Sequence, residues 1–143
     1  MQIIQETPNT RFQQAWKYVD QNYAYLIHDS LLKSVTLQDE ANHMPGADGL
    51  HKWHGDHAEI TVRNGTSYSV PRFVEILVHE LTHLAQCSSG RYRSMTVEQM
   101  EREAYPAGQN ARSLYELRDL EALANEMKKA NIAAAQQQWQ RGR

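Results

Sequence analysis

VEILVHELTHLAQ, residues 74–86, carries apolar side chains at the spacing of an α-helix. At about 100° per residue, Val74, Leu77, Val78, Leu81, Leu84 and Ala85 fall within an arc of about 120°. His79 and His83 lie at about 140° and 180°, on the side turned away from that stripe. Pro71 suits a first helical turn, Ser69 is a nearby capping candidate, and Gly90 stands just past the apolar run as a stop. One side of this helix is expected to enter a core while the other offers two imidazoles to a cleft.

The same stretch contains His79-Glu80-Leu81-Thr82-His83, the HExxH pattern. Histidines at i and i+4 share a helix face and can bind one metal ion, and the intervening Glu can act on a water beside it. A catalytic zinc usually takes three protein ligands and leaves one position open, so a third ligand must come from elsewhere. Cys87, four residues past His83, falls near the same face. Three successive i+4 ligands on one straight helix would nevertheless spread over about 12 Å, too far to surround one ion. Cys87 therefore reads as a small, partly buried free thiol.

The seven histidines occupy positions 28, 43, 51, 54, 57, 79 and 83, so none follows His83. That removes the metzincin pattern, where Leu84-Ala85-Gln86-Cys87 stands instead, and weakens an SprT-like reading. A downstream carboxylate remains, in TVEQMEREAY, residues 96–105, where Thr96 precedes a Glu-rich helical pattern. With Val97, Met100 and Ala104 taken as the inward face, Glu101 lies about 65° from its centre, Glu103 about 95° and Glu98 about 125°. Ala104 would let the two helices approach closely. Glu101 is the favoured third ligand, with Glu103 second.

His79-Glu80-Leu81-Thr82-His83 followed by Glu101-Arg102-Glu103-Ala104 resembles the gluzincin arrangement, HExxH on one helix and ExxA(D) on the next. Thermolysin-like peptidases, small ImmA/IrrE-type regulatory metallopeptidases and minimal gluzincin domains share it. The resemblance covers roughly residues 59–107. It implies a zincin-like α+β fold with a small antiparallel or mixed sheet. It also implies Zn2+ on His79, His83 and Glu101, and Glu80 as general base. Where many such families place an Asp after the Ala, to orient a zinc-binding His, this chain has Tyr105 and then Pro106.

The 143 residues, 41% of them hydrophobic, suffice for one domain, residues 1–143, with a sizeable core. A net charge of −2 gives no reason to expect nucleic acid as a partner. No apolar run is long enough to cross a membrane, and MQIIQETPNTR lacks the build of a leader. A single cysteine excludes an internal disulfide framework and fits a reducing compartment, so a cytoplasmic location is expected. The expected partner is a protein or peptide substrate.

Thr10–His28 reads as one helix, with Phe12, Trp16, Val19, Tyr23, Leu26 and Ile27 forming a core stripe. Ser30–Leu37 is open between helix and strand, with Ser34–Leu37 leaning to strand. Asp39–Gly49 reads as a loop. His51-Lys52-Trp53-His54-Gly55-Asp56-His57 reads as a polar loop outside the primary site, although its histidines would also suit a second metal site or a substrate rim. Ala58–Arg63 alternates as a half-buried strand before the Asn64-Gly65 turn, and its outer edge is a candidate for pairing with an extended peptide. Pro106 and Gly108 are expected to kink or end the Glu101 helix. Ser113–Lys129 then reads as a separate helix whose Leu117, Leu120, Leu123, Ala124 and Met127 share one side that closes the core or packs on a partner, core being favoured, and 130–143 as a frayed or disordered tail.

Metal-assisted hydrolysis of an amide bond is the expected chemistry, with Glu80 carrying the proton from attacking water to leaving amine. Tyr105, His51, His54 and His57 are all candidates to stabilise the oxyanion. The opposing expectation is a catalytically weak zincin scaffold kept for regulation or binding, as in the ImmA/IrrE type.

Overall fold

The computed structural model describes residues 1–141. It is an α+β arrangement with a small mixed sheet of four strands. These are β1 (Gln2–Gln5), β2 (Leu32–Asp39), β3 (Gly49–Trp53) and β4 (Ala58–Asn64), in the spatial order β1-β2-β4-β3. β1 and β4 both run parallel to β2, and β3 runs antiparallel to β4. Along β4, Ala58, Ile60 and Val62 are buried while Glu59, Thr61 and Arg63 keep partial exposure, the alternation expected of a sheet covered on one face.

Four α-helices complete the chain: α1 (Thr10–Asn22), α2 (Ala24–Asp29), α3 (Val70–Ser88) and α4 (Val97–Arg141). α3 is the centre of the molecule and packs against α1, α4, β3 and β4. Its Phe73, Val74, Leu77, Leu81 and Leu84 are fully buried with Phe12 and Val19 of α1, Val35 and Leu37 of β2, and Ile60 and Val62 of β4. Phe12 and Phe73 meet edge to face at 5.7 Å. The helix starts where its sequence says it should. Ser69 caps it by accepting from the Arg72 amide at 3.2 Å, and Pro71 lies in the first turn. Gly90, at φ +78°, takes the left-handed conformation just beyond it.

Several expectations are corrected. The first helix breaks at Tyr23 (φ −125°, ψ 28°), so Thr10–His28 becomes α1 and α2. Within Ser30–Leu37, Ser30 and Leu31 form a turn and the strand β2 starts at Leu32. Gln2–Gln5 adds an edge strand that its four residues were too short to advertise. Of His51–His57, residues 54–57 are the turn between β3 and β4, but His51–Trp53 belong to the outer strand β3, which lacks clean alternation because one edge and one face meet solvent or cleft rather than core. β4 is consequently paired on both edges, and the outer edges of the sheet belong to β1 and β3, of which β3 is the one beside α3.

α4 runs unbroken through Pro106 and Gly108. Thr96 and Gln99 form a reciprocal capping box, each side chain accepting from the other's amide (3.1 and 2.9 Å). Proline removes one amide donor and crowds one carbonyl of the preceding turn, but Pro106 sits on the exposed side, where water can serve that carbonyl. Ala104, Gly108 and Ala111 form the buried ridge against α3 instead. A Cβ on Gly108 would lie 2.8 Å from the Glu75 carbonyl oxygen, so glycine here permits the close helix pair. Val97, expected inward, is 71% exposed. Leu117, Leu120, Leu123 and Met127 are all more than half exposed and do not close the core. Residues 130–141 are helical rather than frayed; positions 142 and 143 lie outside the described residues. Among the described residues no helix is long and apolar enough to cross a membrane.

Candidate metal centre

Two turns of α3 and one of α4 bring His79, His83 and Glu101 together. The two Nε2 atoms are 3.1 Å apart. Glu101 Oε1 lies 2.9 Å from His83 Nε2, and its Oε2 lies 3.3 Å from His79 Nε2. Glu101 Oε2 is buried without a hydrogen-bond partner. The burial of His83 (5% side-chain exposure) and the half-buried state of His79 come from the docking of α4 across the polar side of α3. Burial, the largest influence on it, holds the His79 imidazole below its ordinary pKa, which favours the neutral ring a metal requires.

The orientation of His83 is fixed by a residue that sequence reasoning left without a role. Gln86 is fully buried one turn further along α3. Its amide nitrogen donates to the Met100 carbonyl at 3.1 Å, which leaves its Oε1 to accept from His83 Nδ1 at 3.0 Å. With Nδ1 carrying the proton, the Nε2 of a neutral His83 presents a lone pair. That lone pair faces a second imidazole nitrogen and two carboxylate oxygens. Acceptors at such distances repel one another unless protons or a cation lie between them, and a two-His, one-carboxylate set is a donor set for a divalent ion. The residues fit a metal. Gln86 orients His83 from three residues further along the same helix, a spacing visible in the sequence.

Glu103 and Glu98 are placed elsewhere. Glu103 takes both its oxygens to Arg91, at 3.1 and 2.9 Å, and this guanidinium holds its carboxyl below the usual range. Glu98 pairs with Arg102 on the exposed side of α4. Cys87 is partly buried, with its thiol pKa raised by burial, and is not grouped with the site.

Glu80 lies on the same helix, 7% exposed, with Oε2 only 2.6 Å from Nδ1 of His51 on β3. The His51 ring also stacks on His83, centroids 4.7 Å apart. β3 can lie this close because Gly49 carries no side chain: a Cβ there would sit 2.8 Å from Ile76 Cγ2 and 3.0 Å from Glu80 Cγ. Tyr105 meets the His79 ring edge to face at 4.8 Å. A cleft of about 330 Å³ opens beside these groups, lined by His79, Glu80, Glu101 and Tyr105 and by Asp48 and Arg72 on its rim. His54 and His57 do not join it. They stack on each other at 4.5 Å and group with Glu59, His54 Nε2 lying 2.9 Å from Glu59 Oε2.

Comparison with protein-family models, with curated proteins and with solved structures returned no match to this chain.

Proposed function

We propose that this chain is a zinc-dependent metallopeptidase of gluzincin type with a zincin-like fold, acting on protein or peptide substrates. The observation that carries the reading is the convergence of His79, His83 and Glu101 from two helices, with Glu80 beside them in a cleft. Zinc held by those three residues would supply Lewis acidity to a water molecule and to the scissile carbonyl. Glu80 takes the proton from the attacking water and delivers it to the leaving amine. Its Oε2 is engaged by His51, so Oε1 is the atom left for that transfer. His51 fixes the rotamer of Glu80, and Gln86 fixes the ring of His83. The free edge of β3 offers backbone donors and acceptors on which an extended peptide can lie as an added strand.

The test is metal content together with turnover of a broad peptide substrate, with and without chelator, for wild type and Glu80→Gln. Bound zinc with turnover that vanishes in Glu80→Gln or on chelation is the expected result. Bound zinc without turnover in either protein sinks the peptidase reading and leaves a regulatory or binding scaffold. A His79→Ala protein that keeps its zinc stoichiometry refutes the site itself.

A further inference from the structure

The distal half of α4 is an amphipathic helix with its apolar side in solvent. At about 100° per residue, Ala104, Gly108, Ala111 and Tyr115 share the direction that faces the domain, and Leu117, Leu120, Ala124 and Met127 point about 170° away from it. Leu117, Leu120, Leu123 and Met127 are between 53 and 62% exposed. Counted as heptads, Leu117, Ala124 and Asn131 take the a positions, and Leu120, Met127 and Ala134 the d positions. Asn131 is the only polar residue of that seam.

We propose that this seam docks a second copy of the chain as an antiparallel two-helix coiled coil. Charge selects the occupant and its direction. Residues 113–127 carry Glu116, Asp119, Glu121 and Glu126 against Arg118 alone, whereas 128–141 carry Lys128, Lys129 and Arg141 and no acid. A helix with one acidic and one basic half is complementary to itself reversed. Parallel pairing would set acidic half on acidic half and bring Glu116 against Glu121 of the other copy. Antiparallel pairing that stacks Leu117 on Ala134, Leu120 on Asn131 and Ala124 on Met127 places Glu121 beside Lys128 of the second copy. A two-fold axis makes each contact twice. The domains do not obstruct this, because α1 lies on the opposite side of α4, where Arg118 stacks over the Tyr18 ring at 5.6 Å. The proposal is independent of the metal centre.

Sedimentation equilibrium of the full chain over roughly a hundredfold range of concentration tests it. Wild type is expected to pass from monomer to dimer, and Met127→Glu to remain monomeric with unchanged helix content by circular dichroism. Lys128→Glu is expected to weaken the dimer roughly tenfold, with Glu121→Lys added in the same chain restoring it to within about threefold. A wild-type chain monomeric throughout overturns the proposal, including one that binds lipid vesicles instead. So does a dimer indifferent to Met127→Glu, or a double variant that regains nothing.

Discussion

His51 Nδ1 lies 2.6 Å from Glu80 Oε2, joining an edge strand to the acid of the HExxH helix. The imidazole reaches the carboxylate only because Gly49 lets β3 press against α3. In the proposed mechanism His51 is a positioning residue for the proton carrier. Replacing His51 with Ala is expected to lower kcat/KM by roughly ten- to hundredfold while zinc stoichiometry stays at wild type. Loss of metal in His51→Ala would show that it serves the ligands rather than Glu80. His54→Gln with His57→Gln, which lie outside the cleft, is expected to leave kcat/KM unchanged.

Gln86 is buried with both ends of its amide engaged. Gln86→Leu strands the His83 Nδ1–H, a buried group with no replacement partner, while the Met100 carbonyl loses a second donor and keeps its place in the α4 helix. A loss of about 1–3 kcal/mol in urea unfolding is expected, with zinc affinity about 10- to 100-fold weaker by competition with a chromogenic chelator. Equal zinc affinity in Gln86→Leu and wild type would remove Gln86 from the site.

Glu101 and Glu103, two of the carboxylates of α4, are expected to differ in their effect on zinc binding. Glu101→Gln is expected to weaken zinc binding sharply, while Glu103→Gln leaves it within about threefold, because Glu103 is committed to Arg91.

The Arg91 pair also sets a pH dependence. Arg91 depresses the folded-state pKa of Glu103 below its unfolded value. That contribution to stability is present above the unfolded pKa and is lost as pH falls through the folded one. Glu103→Gln should therefore reduce the difference in Tm between neutral and acidic pH; an unchanged difference would contradict the assignment. The pair is largely exposed, so the effect is small.

Gly108→Ala probes the helix pair. A methyl would meet the Glu75 carbonyl at 2.8 Å, and that oxygen belongs to α3 backbone and cannot rotate away. Overpacking of about 1–3 kcal/mol should outweigh the gain of up to about 1 kcal/mol in helix propensity. Zinc affinity should fall as well, since Glu101 moves with α4. A more stable Gly108→Ala protein would mean that the helices separate at no cost.

The sequence made α3 readable almost completely, because apolar period, cap, proline and stop agree from Ser69 to Gly90. The small Ala104 beside Glu101 marks the face that meets α3, whereas the apolar Val97 is exposed and does not mark it. His51 was lost for a physical reason: an edge strand over a cleft has no apolar alternation to display, and histidines with glycine nearby resemble a loop. Pro106 and Gly108 read locally as breakers, yet packing of Ala104, Gly108 and Ala111 on α3 outweighs the local preference. Gln86 gave only its spacing, since a buried amide reveals its partners through tertiary contacts alone.

A continuous α4 makes one rigid rod of two distant regions. With about 1.5 Å of rise per residue, Glu101 stands about 10 Å on one side of Gly108 and Met127 about 28 Å on the other. Tilting the rod by about 5° about that crossing point would carry Met127 through about 2.5 Å and Glu101 through about 0.9 Å, in opposite directions. In such a tilt the far end would travel nearly three times as far as the carboxylate, because the close approach at Gly108 lies that much nearer to Glu101 than to Met127.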